Sequence, residues 1–424
     1  MKISLPYGKD HLTAQVPEEQ VNAVLRGRLE EYVPPAGEAE LIAQALARPI
    51  GSPTLEELAR GKENIVLIAS DHTRPVPSRL LVPPMLEAIH RGNPKARVTI
   101  LIATGCHRGT TRAELVEKFG EEIVERYPIV VHDCADEDQL VTLGTLPSGG
   151  VLRINRLAAQ ADLLISEGFI EPHFFAGFSG GRKSVLPGIA ARETVYWNHN
   201  AAFIQDPLSR SGILEGNPIH KDMLFAAQAA KLAFVLNVVI NARHEVVGAF
   251  AGDCEKAHRE GTELVRQLCA VPRVPGDIVI TSNNGHPLDQ NIYQAVKGMC
   301  TAEAACAPGA VIVIAAACGD GHGGEVFART FLSGRAPAEI LAEIQATPAH
   351  QTQPDQWQSQ IFARILAHHR VVLISQADPD LVRGLQMEPA ANLEDALTIA
   401  RRLLGREGKL TVIPEGVSTI VSPR

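Results

Sequence analysis

Short, unbroken apolar runs separated by amphipathic stretches set the tightest limit on how this chain can fold. The runs are Ile65–Ala69, Val98–Ala103, Ile129–Val131, Leu163–Ile165, Phe234–Ile240, Ile278–Ile280, Val311–Ala316 and Val371–Ile374. A strand that is apolar at every position is covered on both faces, as strands of parallel sheets are. Between most runs the apolar residues fall at helical spacing instead, as in Thr111–Tyr127, Cys254–Cys269 and Leu393–Leu404. This alternation is the βαβ signature, so the expected class is α/β with largely parallel sheets. Only 4% of residues are aromatic against 45% hydrophobic, which leaves Val, Ile, Leu and Ala to fill the core.

A chain of 424 residues is long for a single core. Val271-Pro272-Arg273-Val274-Pro275-Gly276 interrupts helix and strand alike between two alternating blocks. Two α/β domains are therefore expected, 1–272 and 273–408, with a cleft between them. Lys409–Pro414 reads as a strand isolated after a helix, so 409–424 is free to return to the first block.

The formal charge of −8 gives no basic footprint for nucleic acid or an anionic membrane. Met1–Gln15 lacks an apolar stretch behind a basic start, and no run reaches the roughly 18 apolar residues of a membrane span. The seven cysteines form no C-x-x-C pair, which suits reduced thiols in the cytoplasm. The composition leaves a homo-oligomer open.

Polar clusters follow directly on several of the predicted strands, where open α/β sheets place ligands. Ser70-Asp71-His72-Thr73-Arg74-Pro75 follows Ile65–Ala69 and offers hydroxyl, guanidinium and backbone donors to an anion. Its plainer reading is a capping Asp and a surface Arg. Thr104-Gly105-Cys106-His107-Arg108-Gly109-Thr110-Thr111 repeats the placement after Val98–Ala103, with His107 free to act as acid or base.

Glu171-Pro172-His173-Phe174-Phe175-Ala176-Gly177-Phe178-Ser179-Gly180-Gly181-Arg182-Lys183-Ser184 invites a phosphate-loop reading, but Arg182 stands where the second glycine belongs. Lys183 is then an ion-pair partner or, if desolvated, a nucleophilic amine. Gly319-Asp320-Gly321-His322-Gly323-Gly324 fits a dinucleotide fingerprint, yet the acidic residue expected about 20 positions on falls inside a helical pattern at Glu339. A tight glycine turn is the better reading.

Gln294 and Lys297 are three apart, so they share a helix face; an ordinary solvent-facing pair is the plainer account. The 15 histidines include no zinc spacing, although His107, His173 and His199 can converge from separate loops.

Taken together, Asp71-x-Thr73-Arg74-Pro75, Gly105-x-His107-Arg108, the run Glu171 to Lys183, Asn198-His199 and Gln294-x-x-Lys297 resemble the lactate racemase family. These are the nickel-pincer-nucleotide 2-hydroxyacid racemases and epimerases. The similarity runs in order through both blocks and covers most of the chain.

The resemblance implies a pyridinium mononucleotide whose two sulfur-bearing arms and ring carbon hold nickel, supplied by separate biosynthetic enzymes. It implies Lys183 as the covalent attachment and His199 as the protein ligand of nickel, both in the first domain. Asp71, His72, Thr73 and Arg74 would lie against the cofactor's phosphate end and the substrate. His107 and His173 would be the paired acid/base residues. Arg74, with Gln294 and Lys297 from the second domain, would bind a small 2-hydroxyacid, lactate-like or larger, and Trp357 would match a cleft tryptophan.

The implied chemistry suits these residue types. Removing the C2 proton of a 2-hydroxyacid would create a carbanion beside a carboxylate; loss of hydride avoids it. One histidine per enantiomer then moves the hydroxyl proton. A nicotinamide-dependent hydroxyacid dehydrogenase using Gly319–Gly324, and a non-catalytic hydroxyacid-binding protein, are the alternatives.

Overall fold

A computed structural model describes residues 1–422 of the chain. Two six-stranded sheets dominate it. The first has the spatial order Val246–Gly252, Leu232–Ile240, Leu163–Phe169, Asn64–Ser70, Arg97–Ala103, Ile129–Val131. All neighbours are parallel except the edge hairpin of Leu232–Ile240 with Val246–Gly252. The second sheet runs Glu388–Ala390, Arg370–Ile374, Cys306–Ala315, Gly276–Ser282, Leu410–Ile413, Val21–Val24 and is parallel throughout. The fold is α/β, with two lobes and largely parallel sheets.

Alternation along the strands explains how each sheet buries both faces. Ile65, Leu67 and Ala69 pack under the helix Ser78–Gly92, in a cluster with Leu81, Met85 and Ile89. Val66 and Ile68 face the other way, into a cluster that continues to Ile312, Ile314, Phe327 and Phe362 of the second lobe. That apolar continuity joins the lobes, and Gln360 adds a buried bond from its Nε2 to the Ala201 carbonyl at 2.8 Å.

The expected helix Thr111–Tyr127 is two helices, Arg112–Phe119 and Glu121–Arg126, meeting at Gly120. The first is opened by Thr111, whose side chain accepts from the Glu114 N–H while the Glu114 carboxylate accepts from Thr111.

The ends of the chain cross between the lobes. Val21–Val24 forms the edge of the second sheet, and the hairpin Lys2–Tyr7 with Asp10–Gln15 packs Ile3 and Leu5 against Ile278 and Ile280. Of the stretch 409–424, Leu410–Ile413 lies inside the second sheet, while Ile420–Ser422 pairs with Ala270–Pro272. Residues 423 and 424 lie outside the described residues.

Candidate active site

The loops that follow Asn64–Ser70, Arg97–Ala103 and Leu163–Phe169 emerge at one end of the first sheet, because these strands are parallel and adjacent. The short turn Gly181–Ser184 lies over that end, against two of the strands. Gly181 makes the close approach: its φ is +53° and a Cβ there would stand 2.7 Å from His258.

Asp71 is 1% exposed. Its Oδ1 accepts from the Thr73 hydroxyl at 2.7 Å, and its Oδ2 accepts from His107 Nδ1 at 2.7 Å. Burial opposes the carboxylate charge, but these bonds and Arg74 outweigh it and hold the Asp71 carboxyl below its usual range. With Nδ1 carrying the hydrogen, His107 presents Nε2 as a base, and its ring is 44% exposed toward solvent. His72 turns aside, its Nδ1 at 3.1 Å from the Thr110 hydroxyl.

The central run places three functional groups around one ring. Phe175 is buried and meets His173 edge-on at 4.5 Å and His199 edge-on at 5.1 Å between centroids, with Lys183 Nζ 5.8 Å from its centre. Lys183 Nζ is also 3.5 Å from His173 Nε2. His173 Nδ1 accepts from the Ala176 N–H at 3.3 Å, which fixes the ring's orientation.

His199 closes the helix Arg192–Asn198, and Asn200 starts the next helix by accepting from the Phe203 N–H at 3.0 Å. The His199 ring is 4% exposed and its Nδ1 has no hydrogen-bond partner. Trp357, from the second lobe, meets its edge at 5.1 Å.

Electrostatics around these buried groups oppose protonated nitrogen. Burial, then the cations Arg182 and Arg74, hold the Lys183 amine well below the ordinary lysine range. Burial and Lys183 together push the His173 and His199 imidazoles down, His199 to about 3. From the second lobe, Lys297 is lowered to about 8 by burial and by Arg74. Glu171 is the acid among these cations; burial raises its carboxyl, against the pull of Lys297, Arg74 and Lys183.

Gln294 and Lys297 share the helix Ile292–Ala304, started by Asn291, whose Oδ1 accepts from the Gln294 N–H at 2.9 Å. The glycine turn 319–324 is spent on that helix start. The Gly321 carbonyl accepts from Ile292, and a Cβ on Gly323, where φ is +77°, would stand 2.3 Å from Asn291. A pyrophosphate would have to displace this packing.

The structure thus brings His173, Lys183 and His199 around Phe175, sets His107 on Asp71 in the adjoining loop, and brings Lys297 within Coulombic reach of Arg74. Sequence reasoning passed over Glu171 and Arg182. Both stand inside the central motif, and the signal was their place at its two ends, a carboxylate ahead of Pro172 and a guanidinium beside Lys183.

A model of the lactate racemase N-terminal domain matches residues 7–212, and one of the lactate racemase C-terminal domain matches residues 271–421. The chain belongs to the lactate racemase family. It is 52% identical over 420 residues to a lactate racemase of Thermoanaerobacterium thermosaccharolyticum and 51% identical over 420 residues to one of Lactiplantibacillus plantarum, covering 99% of each chain in both pairs. The solved lactate racemase apoprotein of the former organism superposes with a TM-score of 0.97 at 51% identity, over 100% of both chains. A crystal structure of a Thermotoga maritima protein shares the fold at a TM-score of 0.64 and 19% identity, covering 93% of this chain and 100% of the other. As a lactate racemase family member the chain is an isomerase.

The residues present fit the nickel-pincer nucleotide of the resemblance. A neutral, enclosed imidazole with an unpartnered nitrogen suits a borderline-soft metal, and an amine whose protonation is opposed by burial suits covalent attachment. Among the described residues no cluster of His, Cys, Asp and Glu could hold a metal by itself, so His199 would need ligands from outside the chain. No helix is long and apolar enough to cross a membrane.

Proposed function

We propose that this chain interconverts the enantiomers of lactate, or of a related short 2-hydroxyacid, with a lysine-tethered nickel-pincer nucleotide made by separate biosynthetic enzymes. The observation that carries the reading is the pairing of two differently held imidazoles with an enclosed amine: His107 backed by Asp71, and His173 beside Lys183.

In this reading Lys183 is the attachment point and His199 the metal's protein ligand. When bound, the nucleotide would supply a ring carbon able to accept and return hydride. The chain's own residues do the rest. Lys297 and Arg74 neutralise the substrate carboxylate across the cleft, and Gln294 orients the substrate from the same helix face as Lys297. For one enantiomer, His107 Nε2 removes the hydroxyl proton as hydride leaves, with Asp71 stabilising the imidazolium. The product of that step is a planar 2-ketoacid, open to hydride on either face. For the other enantiomer His173, held by the Ala176 N–H at Nδ1, plays the same part through Nε2. The apolar wall of Phe174, Phe175 and Trp357 keeps water from the reacting carbon. Seven free cysteines suit a cytoplasmic setting.

The experiment is racemisation in D2O by protein made in a host that synthesises the cofactor, without added nicotinamide. The expected product keeps its C2 hydrogen. Deuterium at C2 would replace hydride transfer with proton abstraction, and a requirement for stoichiometric oxidant would replace the racemase with a dehydrogenase.

A further inference from the structure

The helix that His199 closes, Arg192–Asn198, has seven residues, too few to hold a direction without tertiary contacts. Its first turn is tied to the hairpin of Leu140–Thr145 with Val151–Asn155: the Thr194 hydroxyl donates to the Val151 carbonyl at 2.8 Å. Its last turn, which carries the imidazole, is held by the tip of the same hairpin. A Cβ on Gly150 would stand 2.3 Å from the Trp197 ring, so the indole lies directly on that glycine. Trp197 Nε1 donates to the Ser148 hydroxyl at 3.0 Å.

An indole N–H only donates, so the hydroxyl accepts from it and turns its own hydrogen elsewhere. That hydrogen goes to Asp222 Oδ2 at 2.5 Å, while Oδ1 accepts from the Ser148 N–H at 3.2 Å. Asp222 is 1% exposed. Burial raises its carboxyl; Ser148 pulls it back most, Asn198 next and Lys221 least. The chief partner of this enclosed acid is one serine rather than a cation, an expensive arrangement if its only task were to fill space.

Asp222 sits on the helix Pro218–Ala229, and the start of that helix gathers the rest of the site. Asn217 Nδ2 donates to the Phe175 carbonyl at 2.9 Å, and His220 Nδ1 accepts from Arg182 Nε at 3.0 Å. The Ile219 carbonyl accepts from Asn198 Nδ2 at 3.2 Å. One element therefore sets the register of Phe175, of the turn that carries Lys183, and of both residues that precede His199.

We propose that Ser148 and Asp222 are positioning residues of His199: the carboxylate fixes the hydroxyl, the hydroxyl holds the indole of Trp197, and the helix end fixed in this way aims the imidazole. The inference rests on the reading of His199 as the protein ligand of nickel. Groups that hold a metal's ligand from behind are worth about 10–100-fold in metal affinity or activity.

The test is nickel release from the holoenzyme, made in a host that synthesises the cofactor, into excess EDTA without denaturant. Elemental analysis of samples desalted over time reads it, and urea denaturation of each apoprotein reads stability separately. Ser148→Ala leaves the indole N–H without an acceptor, and Asp222→Ala frees the hydroxyl. Each should release nickel about tenfold faster than the wild type, or arrive with about a tenth of its nickel. Ser148→Thr keeps the hydroxyl and should match the wild type.

A brace that only supported the fold would lower the urea midpoint and leave release from folded protein unchanged. A folded Ser148→Ala that keeps its nickel at the wild-type rate therefore overturns the proposal, as does a Ser148→Thr as fast as Ser148→Ala. Wild-type release from Asp222→Ala removes Asp222 from it. If Ser148→Ala does not fold, Trp197→Phe, which lacks the N–H, decides: faster release supports the proposal and an unchanged rate overturns it. His199→Ala separates the two readings. Wild-type nickel retention there sinks the ligand role on which the inference rests, whereas lost nickel there, with unchanged release from Ser148→Ala, sinks the brace alone.

Discussion

His107 donates from Nδ1 to the buried Oδ2 of Asp71 at 2.7 Å, so one tautomer of the ring is selected before substrate arrives. Asp71→Asn keeps the shape but lets the amide nitrogen face the ring and favour the other tautomer. Turnover should fall by about 10²–10⁴ with little change in fold. Because mirror-image substrates have equal free energies in water, kcat/KM must fall by the same factor in both directions. Steady-state rates from each enantiomer check this.

Lys297 should set the alkaline limit of substrate binding. Its folded pKa lies near 8, lowered by burial and Arg74, so the ammonium is present below pH 8 and is lost as pH rises through it. KM for the 2-hydroxyacid should be flat near neutrality and climb about tenfold per unit above pH 8. Lys297→Arg keeps its charge and should flatten the climb, which a KM–pH profile of both proteins would show.

Lys183 holds a poorly solvated amine for chemistry at a cost in stability. Lys183→Met removes the polar group while filling the space, and should stabilise the apoprotein by about 0.5–2 kcal/mol while abolishing any covalent adduct. Urea denaturation and intact mass give both readouts.

His199 has no partner for Nδ1 to lose, so His199→Ala should cost the ring's packing against Phe175 and Trp357 and the cavity it leaves, about 2–5 kcal/mol. Nickel retained per chain after desalting should drop at least tenfold, by elemental analysis of protein from a cofactor-making host.

Gly323 tests the second lobe's role from a distance. A methyl group there would meet Asn291 at 2.3 Å in a left-handed backbone, so Gly323→Ala should cost about 1–3 kcal/mol. The displaced helix start carries Gln294 and Lys297, so KM should rise more than kcat falls.

Much of the architecture was legible because fully buried strands leave continuous apolar runs: each predicted run coincides with a strand, from Asn64–Ser70 to Arg370–Ile374, and only Ala316 of the run Val311–Ala316 falls past a strand's end. What lacked that signature was harder to read. Val21–Val24 alternates between half-buried and exposed, and nothing in four such residues says that they pair with Leu410–Ile413. The central motif drew attention to His173 and Lys183 by composition, and parallel neighbours explain why three strand-end loops meet. The enclosure of Arg182 was hidden because two of its partners, His220 and His258, lie on helices Pro218–Ala229 and Lys256–Cys269, far along the chain. From the sequence Asp71 reads as an anion-site residue; its bond to His107 spans 36 positions and is visible only once the two strands are adjacent.

The crossed termini have a consequence for how this protein can be divided. Scission after residue 272 would separate the edge strand Val21–Val24 and its covering hairpin from the sheet they complete, and Ala270–Pro272 from Ile420–Ser422. Neither fragment would inherit a finished layer. Such a pair should regain structure only by reassociating, so the two halves of the cleft are inherited, made and lost together.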